Sequence, residues 1–297
     1  MPELPSDRPI LILGGHGMLA AALARAVKRR GREATCIDRD TLDLTDANAV
    51  DAYFNEHKPG VVFNAAAYTA VDKAEEEEAL ATKVNGDAVG HVAAACKACG
   101  ATLVHYSTDF VFNGTATDPY ATDAPTSPIS AYGRSKLAGE TAVIDSGLED
   151  HLILRTAWLY GPWAGRPFPK VMVDAAKAGK PLKVVADQHG APTFTVDLAE
   201  ASLDLLDKRA RGLFHVTGGG RTTWFDFTKK ILEVFGVEPQ SLEPTTAAAW
   251  AELRPDSAKR PAFSVLDLSK TEQALGRPMR AWDKALLDYR DVTAGNP

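Results

Sequence analysis

A short apolar run, Pro9–Leu13 (PILIL), opens directly into Gly14-Gly15-His16-Gly17-Met18-Leu19-Ala20, and a helical pattern follows to about Arg30. Nothing else in the chain restricts its fold as strongly. An apolar run of this length without alternation reads as a strand buried on both faces. Gly31 stands where a helix C-cap prefers to be, and Arg32–Ile37 (REATCI) is a second strand ending at Asp38-Arg39. Strand, glycine turn, helix, strand and acidic end make one βαβ unit, with Asp38 about twenty residues past the turn. In that setting Gly14 and Gly17 let the backbone approach a pyrophosphate, and the helix N-terminus stabilises its charge. Asp38 and Arg39 pull in opposite directions: a carboxylate favours a free ribose 2′-hydroxyl, whereas an arginine accepts a 2′-phosphate. NADH and NADPH both stay open.

The following segments repeat the theme. Leu42-Asp43-Leu44-Thr45-Asp46 reads as a strand end running into a helix capped by Asp46. Asp43 is either a contact for an adenine ring or a solvated turn residue. Val61–Asn64 is a third parallel-type strand, and the small residues of Ala65-Ala66-Ala67-Tyr68-Thr69 after it either lie against a flat ligand or pack closely. Glu75–Glu78 reads as a solvated face near a helix start. Ala101–Tyr106 is the fourth strand, with His105 packed inside it. Ser107-Thr108-Asp109 stands at its C-terminal end, where open parallel sheets bind ligands. Leu152–Ala157 is another strand. The fold class is therefore α/β, a Rossmann-type doubly wound parallel sheet, over residues 1–160 with later segments returning to it. Residues 161–297 lose the regular βα rhythm and read mainly as a smaller α/β substrate lobe. It contains helices from about Gly165 to Ala178, Thr195 to Arg209, Trp224 to Phe235 and Ala281 to Tyr289, and a Thr/Ala loop near Pro244–Ala249.

Charge narrows the partners. A net charge of −6 argues against nucleic acid and membrane surfaces, both of which reward basic patches. The opening MPELPSDRP is polar and Pro-rich, without the apolar core of a signal peptide, and no apolar run reaches spanning length; the expectation is a cytoplasmic protein. Cys96-x-x-Cys99 sits in a helical run with no second Cys/His pair, so it reads as reduced helical cysteines and no metal site is assigned.

Ser130–Glu140 (SAYGRSKLAGE) carries the chemistry. Tyr132 and Lys136, four residues apart, project from one helical face roughly 5–6 Å apart at Cβ, and Ser130 can cap the helix. An ammonium beside a phenol favours the phenolate, so the Tyr132 pKa is expected to fall below about 10 and suit proton transfer.

The ordered set GGHGML, LDLTD, NAAAYTAVDKAE, YSTDFVFNG, YGRSKLAGE, LRTAWLYG, DQHGAPT and GLFHVTGGGRTTWFDF resembles the extended short-chain dehydrogenase/reductases and, within them, the dTDP-4-dehydrorhamnose reductase family. The likeness runs from about Ile10 to Leu287. It implies that Gly17, Met18 and Leu19 hold the pyrophosphate, Asp38, Asp43 and Leu44 the adenosine end, and that Ala66, Ala67, Tyr68 and Thr69 flank the cofactor. It places Tyr106 near the nicotinamide and Thr108, Asp109 and Trp158 at the sugar. Asn85 would support Lys136 through water. The implied reaction is NADPH- or NADH-dependent reduction of the C4 ketone of a nucleotide-linked 4-keto-6-deoxy sugar. Tyr132 protonates the developing alkoxide, Thr108 hydrogen-bonds it and Lys136 holds the cofactor ribose. The resemblance also allows a homodimer.

Related 4,6-dehydratases carry a Glu after Thr-Asp; here that position is Phe110, so elimination is not expected. Two positions depart from the family pattern, Pro167 before Phe168 and Phe263 within Arg260–Ser264. They remove side-chain amides near the nucleotide sugar and leave the exact sugar and nucleotide open. The alternatives are an NAD-retaining nucleotide-sugar epimerase and a non-catalytic regulatory subunit of the same fold.

Overall fold

The unbroken apolar run of the first strand is explained by its position in the middle of a sheet covered on both sides. Ile10 and Ile12 face one helical layer while Leu11 and Leu13 face the other, and all four are buried. The computed structural model describes residues 8–294, so the polar opening read from the sequence lies, through residue 7, outside the described residues. The first half of the chain contains β1 (Ile10–Leu13), α1 (Met18–Arg29), β2 (Ala34–Ile37), α2 (Ala47–His57), β3 (Val61–Asn64), α3 (Glu78–Thr82), α4 (Ala88–Cys99), β4 (Thr102–Thr108), α5 (Ala131–Asp145) and β5 (His151–Thr156). The second half contains β6 (Leu159–Tyr160), α6 (Phe168–Lys177), β7 (Leu182–Val185), β8 (His189–Gly190), β9 (Thr193–Phe194), α7 (Thr195–Asp207), β10 (Gly212–His215), β11 (Thr222–Thr223), α8 (Trp224–Phe235), β12 (Leu242–Thr245), α9 (Ala247–Leu253), α10 (Ser269–Leu275) and α11 (Trp282–Ala294).

Six strands pair in the order β10-β5-β4-β3-β1-β2, all parallel. Helices α1 and α7 cover one face; α2, α4 and α5 cover the other. This is the doubly wound sheet expected. The chain runs from β1 outward to β2, then returns to β3 on the other side of β1, so the order reverses between β1 and β3, where such sheets open a ligand crevice. The sixth strand, β10, comes from the second half of the chain. Beyond the sheet, Tyr160, Phe194, Phe227 and Tyr289 form an aromatic cluster with α6, α8 and α11, and β7 pairs with β12.

Several local expectations change. Leu42–Asp46 forms no strand, although Asp46 does cap α2 by accepting from the Asn48 and Ala49 amides. The stretch expected as a Thr/Ala loop is instead the end of β12 followed by α9, which Thr246 caps through the Ala249 amide. The acidic run is not a purely solvated face: the Glu75 carboxylate accepts from the Ala131 amide at the start of α5, Glu77 accepts from the Tyr68 hydroxyl, and Glu78 pairs with Arg134. Three of these carboxylates thus hold the Tyr132 helix and the Tyr68 loop in place. Cys96 is buried and Cys99 half-buried on α4, and both are free thiols. Among the described residues, no helix is long and apolar enough to cross a membrane.

Candidate active site

At the end of β1, Gly14 takes φ +88°, and a Cβ there would lie 2.8 Å from the backbone of Ala66 beyond β3. Only glycine permits that approach, which brings the two strand ends together at the reversal point. The Gly14 and Gly15 amides are held by the Ile37 carbonyl of β2. Gly17 then starts α1 with no side-chain cap, so the first amides of the helix face a cavity rather than a capping oxygen. The glycine turn therefore fits an anionic diphosphate.

Two cavities meet at Ala66 and Ala67. The smaller, about 290 Å³, is lined by Gly14, Asp38, Arg39, Asp43, Leu44 and Tyr68 among others. Asp38 accepts from the Thr41 amide and hydroxyl and lies 3.3 Å from His16, while Asp43 accepts from Thr45 in the same manner. These bonds hold both carboxyls below the usual carboxylate range. Tyr68 is fixed through its main chain, because Asn85 accepts from its amide and donates to its carbonyl. The other amide hydrogen of Asn85 goes to Ser135 on α5. Asn85 therefore braces the Tyr68 loop against α5.

The central cavity, about 560 Å³, is lined by Gly17, Met18, Leu19, Thr69, Tyr106, Thr108, Asp109, Tyr132, Lys136 and Trp158. Strand and helix deliver these groups for simple reasons. Ser130 caps α5 by accepting from the Gly133 amide, and helical spacing puts Tyr132 and Lys136 on the face toward the end of β4. Alternation along β4 sends Ser107 toward α5 and Tyr106 the other way. The Tyr106 ring lies in the core, its hydroxyl donating to Ser202 of α7 at 3.0 Å. The main-chain carbonyl of Tyr106 accepts from Lys136 Nζ at 2.7 Å, and the residue lines the central cavity.

The electrostatics also differ from expectation. Tyr132 is not acidified. Burial of its hydroxyl, reinforced by the nearby Asp109 carboxylate and opposed by the Thr108 hydroxyl, pushes it up to about 12. The Lys136 ammonium is committed to the Tyr106 carbonyl, and its own burial, offset by Glu140, brings it down to about 8. Burial raises Asp109 to about 6. His105, enclosed between Asn64 and α5, is held well below its ordinary value by burial and by Lys136; it is a packed strand residue, as read.

Phe110, which the sequence already singles out, packs edge-on against the Tyr132 ring at 5.8 Å. Thr156 and Trp224 were not found from sequence. Thr156, at the end of β5 in register with Thr108, lines the central cavity with a buried hydroxyl that has no partner. Trp158 takes φ +47°, a conformation costing about 1–3 kcal/mol for a bulky residue, and stacks on Trp224 at 3.6 Å. Gly190 makes room for it, since a Cβ there would lie 2.6 Å from the indole. Trp224 and Arg260 connect the central cavity to a third of about 660 Å³, lined also by Lys183, Trp250 and Lys259. Neither departing residue is at that wall: Pro167 caps α6, and Phe263 is buried in a cluster with Tyr120 and Val265. The only signal for this outer cavity in the sequence is the Trp and Lys content of a region without regular rhythm.

The family described as RmlD substrate binding domain matches residues 8–294. The chain is 43% identical, over 98% of its length and 96% of the relative's, to a dTDP-4-dehydrorhamnose reductase of Streptomyces griseus. It is 40% identical to a dTDP-4-keto-6-deoxy-D-glucose reductase of Streptomyces niveus, covering 93% of this chain and 94% of that one. The solved structure of a Bacillus anthracis dTDP-4-dehydrorhamnose reductase in complex with NADP superposes with a TM-score of 0.91 at 31% identity, covering 97% of this chain and all of that one. Whole-length agreement in sequence and in fold leads to one statement: the chain belongs to the RmlD substrate binding domain family of reductase-like proteins.

Proposed function

We propose that the chain is an NAD(P)H-dependent oxidoreductase that reduces the C4 ketone of a nucleotide-linked 4-keto-6-deoxy sugar, converting dTDP-4-dehydro-L-rhamnose to dTDP-L-rhamnose. One observation carries the reading. Thr108, Tyr132 and Lys136 converge in a cavity that joins a glycine-turn crevice on one side and a Trp- and Lys-lined cavity on the other. Asp43, Leu44 and Tyr68 would hold the adenosine end, Asp38 and Arg39 its ribose, and the amides at Gly17–Leu19 the diphosphate. Reduced nicotinamide supplies the hydride when bound.

The chain's own groups then do the following. Tyr132, protonated throughout the physiological range, gives its proton to the oxygen of the reacting carbonyl. Thr108 hydrogen-bonds that oxygen as charge develops on it. Lys136 is oriented by the Tyr106 carbonyl and positioned to hold a ribose hydroxyl. Trp158 walls the sugar site. The aromatic and cationic outer cavity suits a nucleoside diphosphate, with Trp250 against a base and Lys183, Lys259 and Arg260 against phosphates. Residues 1–160 with the returning β10 would carry the cofactor and most of 161–297 the nucleotide sugar. The same reading puts the protein in the cytoplasm, and sedimentation velocity tests the homodimer.

The experiment is oxidation of NADPH and NADH against 4-keto nucleotide sugars, including dTDP-4-dehydrorhamnose and dTDP-4-keto-6-deoxy-D-glucose. Tyr132→Phe should abolish turnover while leaving cofactor affinity near normal, since only the hydroxyl is lost. A Tyr132→Phe protein that keeps most of the wild-type rate removes Tyr132 from its role.

A further inference from the structure

Gln188 carries a donor and an acceptor that the fold does not use. The residue is 7% exposed, yet its carboxamide has no hydrogen bond to any of the described residues. Neither amide atom is sealed in, and the residue lines the outer cavity of about 660 Å³. The carboxamide therefore opens into that cavity. Holding a donor and an acceptor largely out of water with no partner is costly, and a ligand that supplies both partners removes the cost.

The main chain around it is fixed on both edges. The His189 amide donates to the Ala262 carbonyl at 2.7 Å, and the His189 carbonyl accepts from the Ser264 amide at 2.8 Å; on the other edge β8 pairs with β11. Gly190 lies against the Trp158 indole, so residues 187–190 run from the outer cavity to the wall of the sugar site. At the start of this stretch Asp187 accepts from the Ala247 amide at 2.7 Å, which ties it to the first turn of α9. Ala247, Trp250 and Ala251 are one face of that helix, and all three line the outer cavity. Gln188 thus stands beside α9 and Trp250. Arg260 marks the junction with the central cavity, since it lines both. A diphosphate is met by cations such as Lys259 and Arg260. An uncharged amide beside an aromatic ring and Val184 suits the edge of a neutral, flat base.

We propose that Gln188 reads the base of the nucleotide sugar. Its oxygen accepts from N3–H of a pyrimidine-2,4-dione, its nitrogen donates to the adjacent ring carbonyl, and Trp250 lies against the ring face. The inference rests on the reading of the substrate as a nucleotide sugar. Thymine and uracil both present an N–H flanked by carbonyl oxygens, so a carboxamide meets that edge with one bond in each direction. A base methylated at N3 has no hydrogen to give and sets a methyl group where the amide stands.

The test is isothermal titration of the NADPH-loaded protein with dTDP and with N3-methyl-dTDP, for the wild type, Gln188→Ala and Gln188→Met. The wild type should bind dTDP at least about tenfold more tightly than the methylated ligand. Gln188→Ala should lose at least about tenfold toward dTDP and hold the two ligands within about twofold of each other. Gln188→Met refills the space without a donor or acceptor, so it should bind dTDP no better than the alanine variant. NADPH binding, followed by fluorescence, confirms that each variant is folded. A wild type that does not distinguish the two ligands overturns the proposal, as does a Gln188→Ala protein with wild-type affinity for dTDP. A methionine variant that restores affinity shows packing alone and also overturns it. So does an alanine variant that weakens both ligands equally, the result expected of a contact to ribose or phosphate. A wild type that binds neither ligand sinks the nucleotide-sugar reading itself, whereas the other failures leave that reading standing and remove only Gln188.

Discussion

Replacing Glu140 by Gln should unfold the catalytic helix at markedly lower stress, for reasons of charge rather than size. Glu140 follows Lys136 by one turn on the same face of α5 and is fully enclosed. Arg155 Nε donates to Oε1 at 2.9 Å and its NH2 group to Oε2 at 2.7 Å, while Ser107 donates to Oε1 at 2.5 Å. The side chains are 2% and 5% exposed, so water cannot take over when one partner is lost. Glutamine keeps the shape but presents an NH2 group to a buried guanidinium, which loses its counter-charge. Breaking a buried pair from one side costs about 3–5 kcal/mol. With an unfolding entropy of about 2 cal/mol/K per residue over 297 residues, that corresponds to a fall in Tm of about 5–8 °C. Scanning calorimetry and urea unfolding, run on Glu140→Gln, Arg155→Met and the double Glu140→Leu/Arg155→Met variant, measure it. Removing both charges should recover most of the loss, because the cost lies in the orphaned ion. A Glu140→Gln loss under about 1 kcal/mol, or losses that simply add in the double variant, would refute the argument.

Gly139→Ala should destabilise by about 2 kcal/mol, although alanine in an ordinary helix interior gains about 0.5–1 kcal/mol; its Cβ would stand 2.2 Å from the Asn85 carbonyl oxygen, and a rise in Tm would contradict this. Arg39→Ala should weaken NADPH more than NADH in fluorescence titrations, and equal losses would remove Arg39 from cofactor choice. His215 is held neutral by burial and by Arg155, down to about 3. The unfolded chain takes up that proton below about pH 6.5 and the folded chain does not, so its stabilising contribution diminishes as pH falls, by about 2 kcal/mol at pH 5. His215→Gln should therefore lose less stability than wild type between about pH 7 and pH 5 in urea unfolding; equal acid sensitivity in the two proteins would count against it.

The features legible in the sequence are those in which a local rule and the tertiary structure agree. The βαβ unit is one: an apolar run can be uniform only if both faces are covered, and Ile10–Leu13 is. Tyr132 and Lys136 are another, because helical spacing alone puts them on one face. The acidic run failed for the opposite reason. Nothing local distinguishes Glu75 from Glu76, and both are exposed, yet the first caps α5 through the Ala131 amide while the second makes no such bond. That difference is made by chain folded against it from more than fifty residues away. The Thr/Ala stretch near Pro244–Ala249 reads as a loop, whereas Thr246 within it is the cap that starts a helix.

Tyr106 and Tyr132 show where reading a site from spacing stops. In a strand buried on both faces the sequence does not reveal which residues point which way. Had Ala101–Tyr106 alternated with polar residues, the direction of Tyr106 would have been visible. The structure supplies it, with Tyr106 toward Ser202 and Ser107 toward Glu140. That parity has a chemical consequence. It leaves the Tyr106 carbonyl to take the Lys136 ammonium, so the charge expected to acidify Tyr132 is spoken for, and burial decides its acidity instead. A phenol held above its ordinary value is a poor base at neutral pH but is fully protonated, and a reductase needs its donor charged with a proton before hydride arrives. The spacing of Tyr and Lys identifies the pair; the strand parity beneath them selects the direction in which the proton moves.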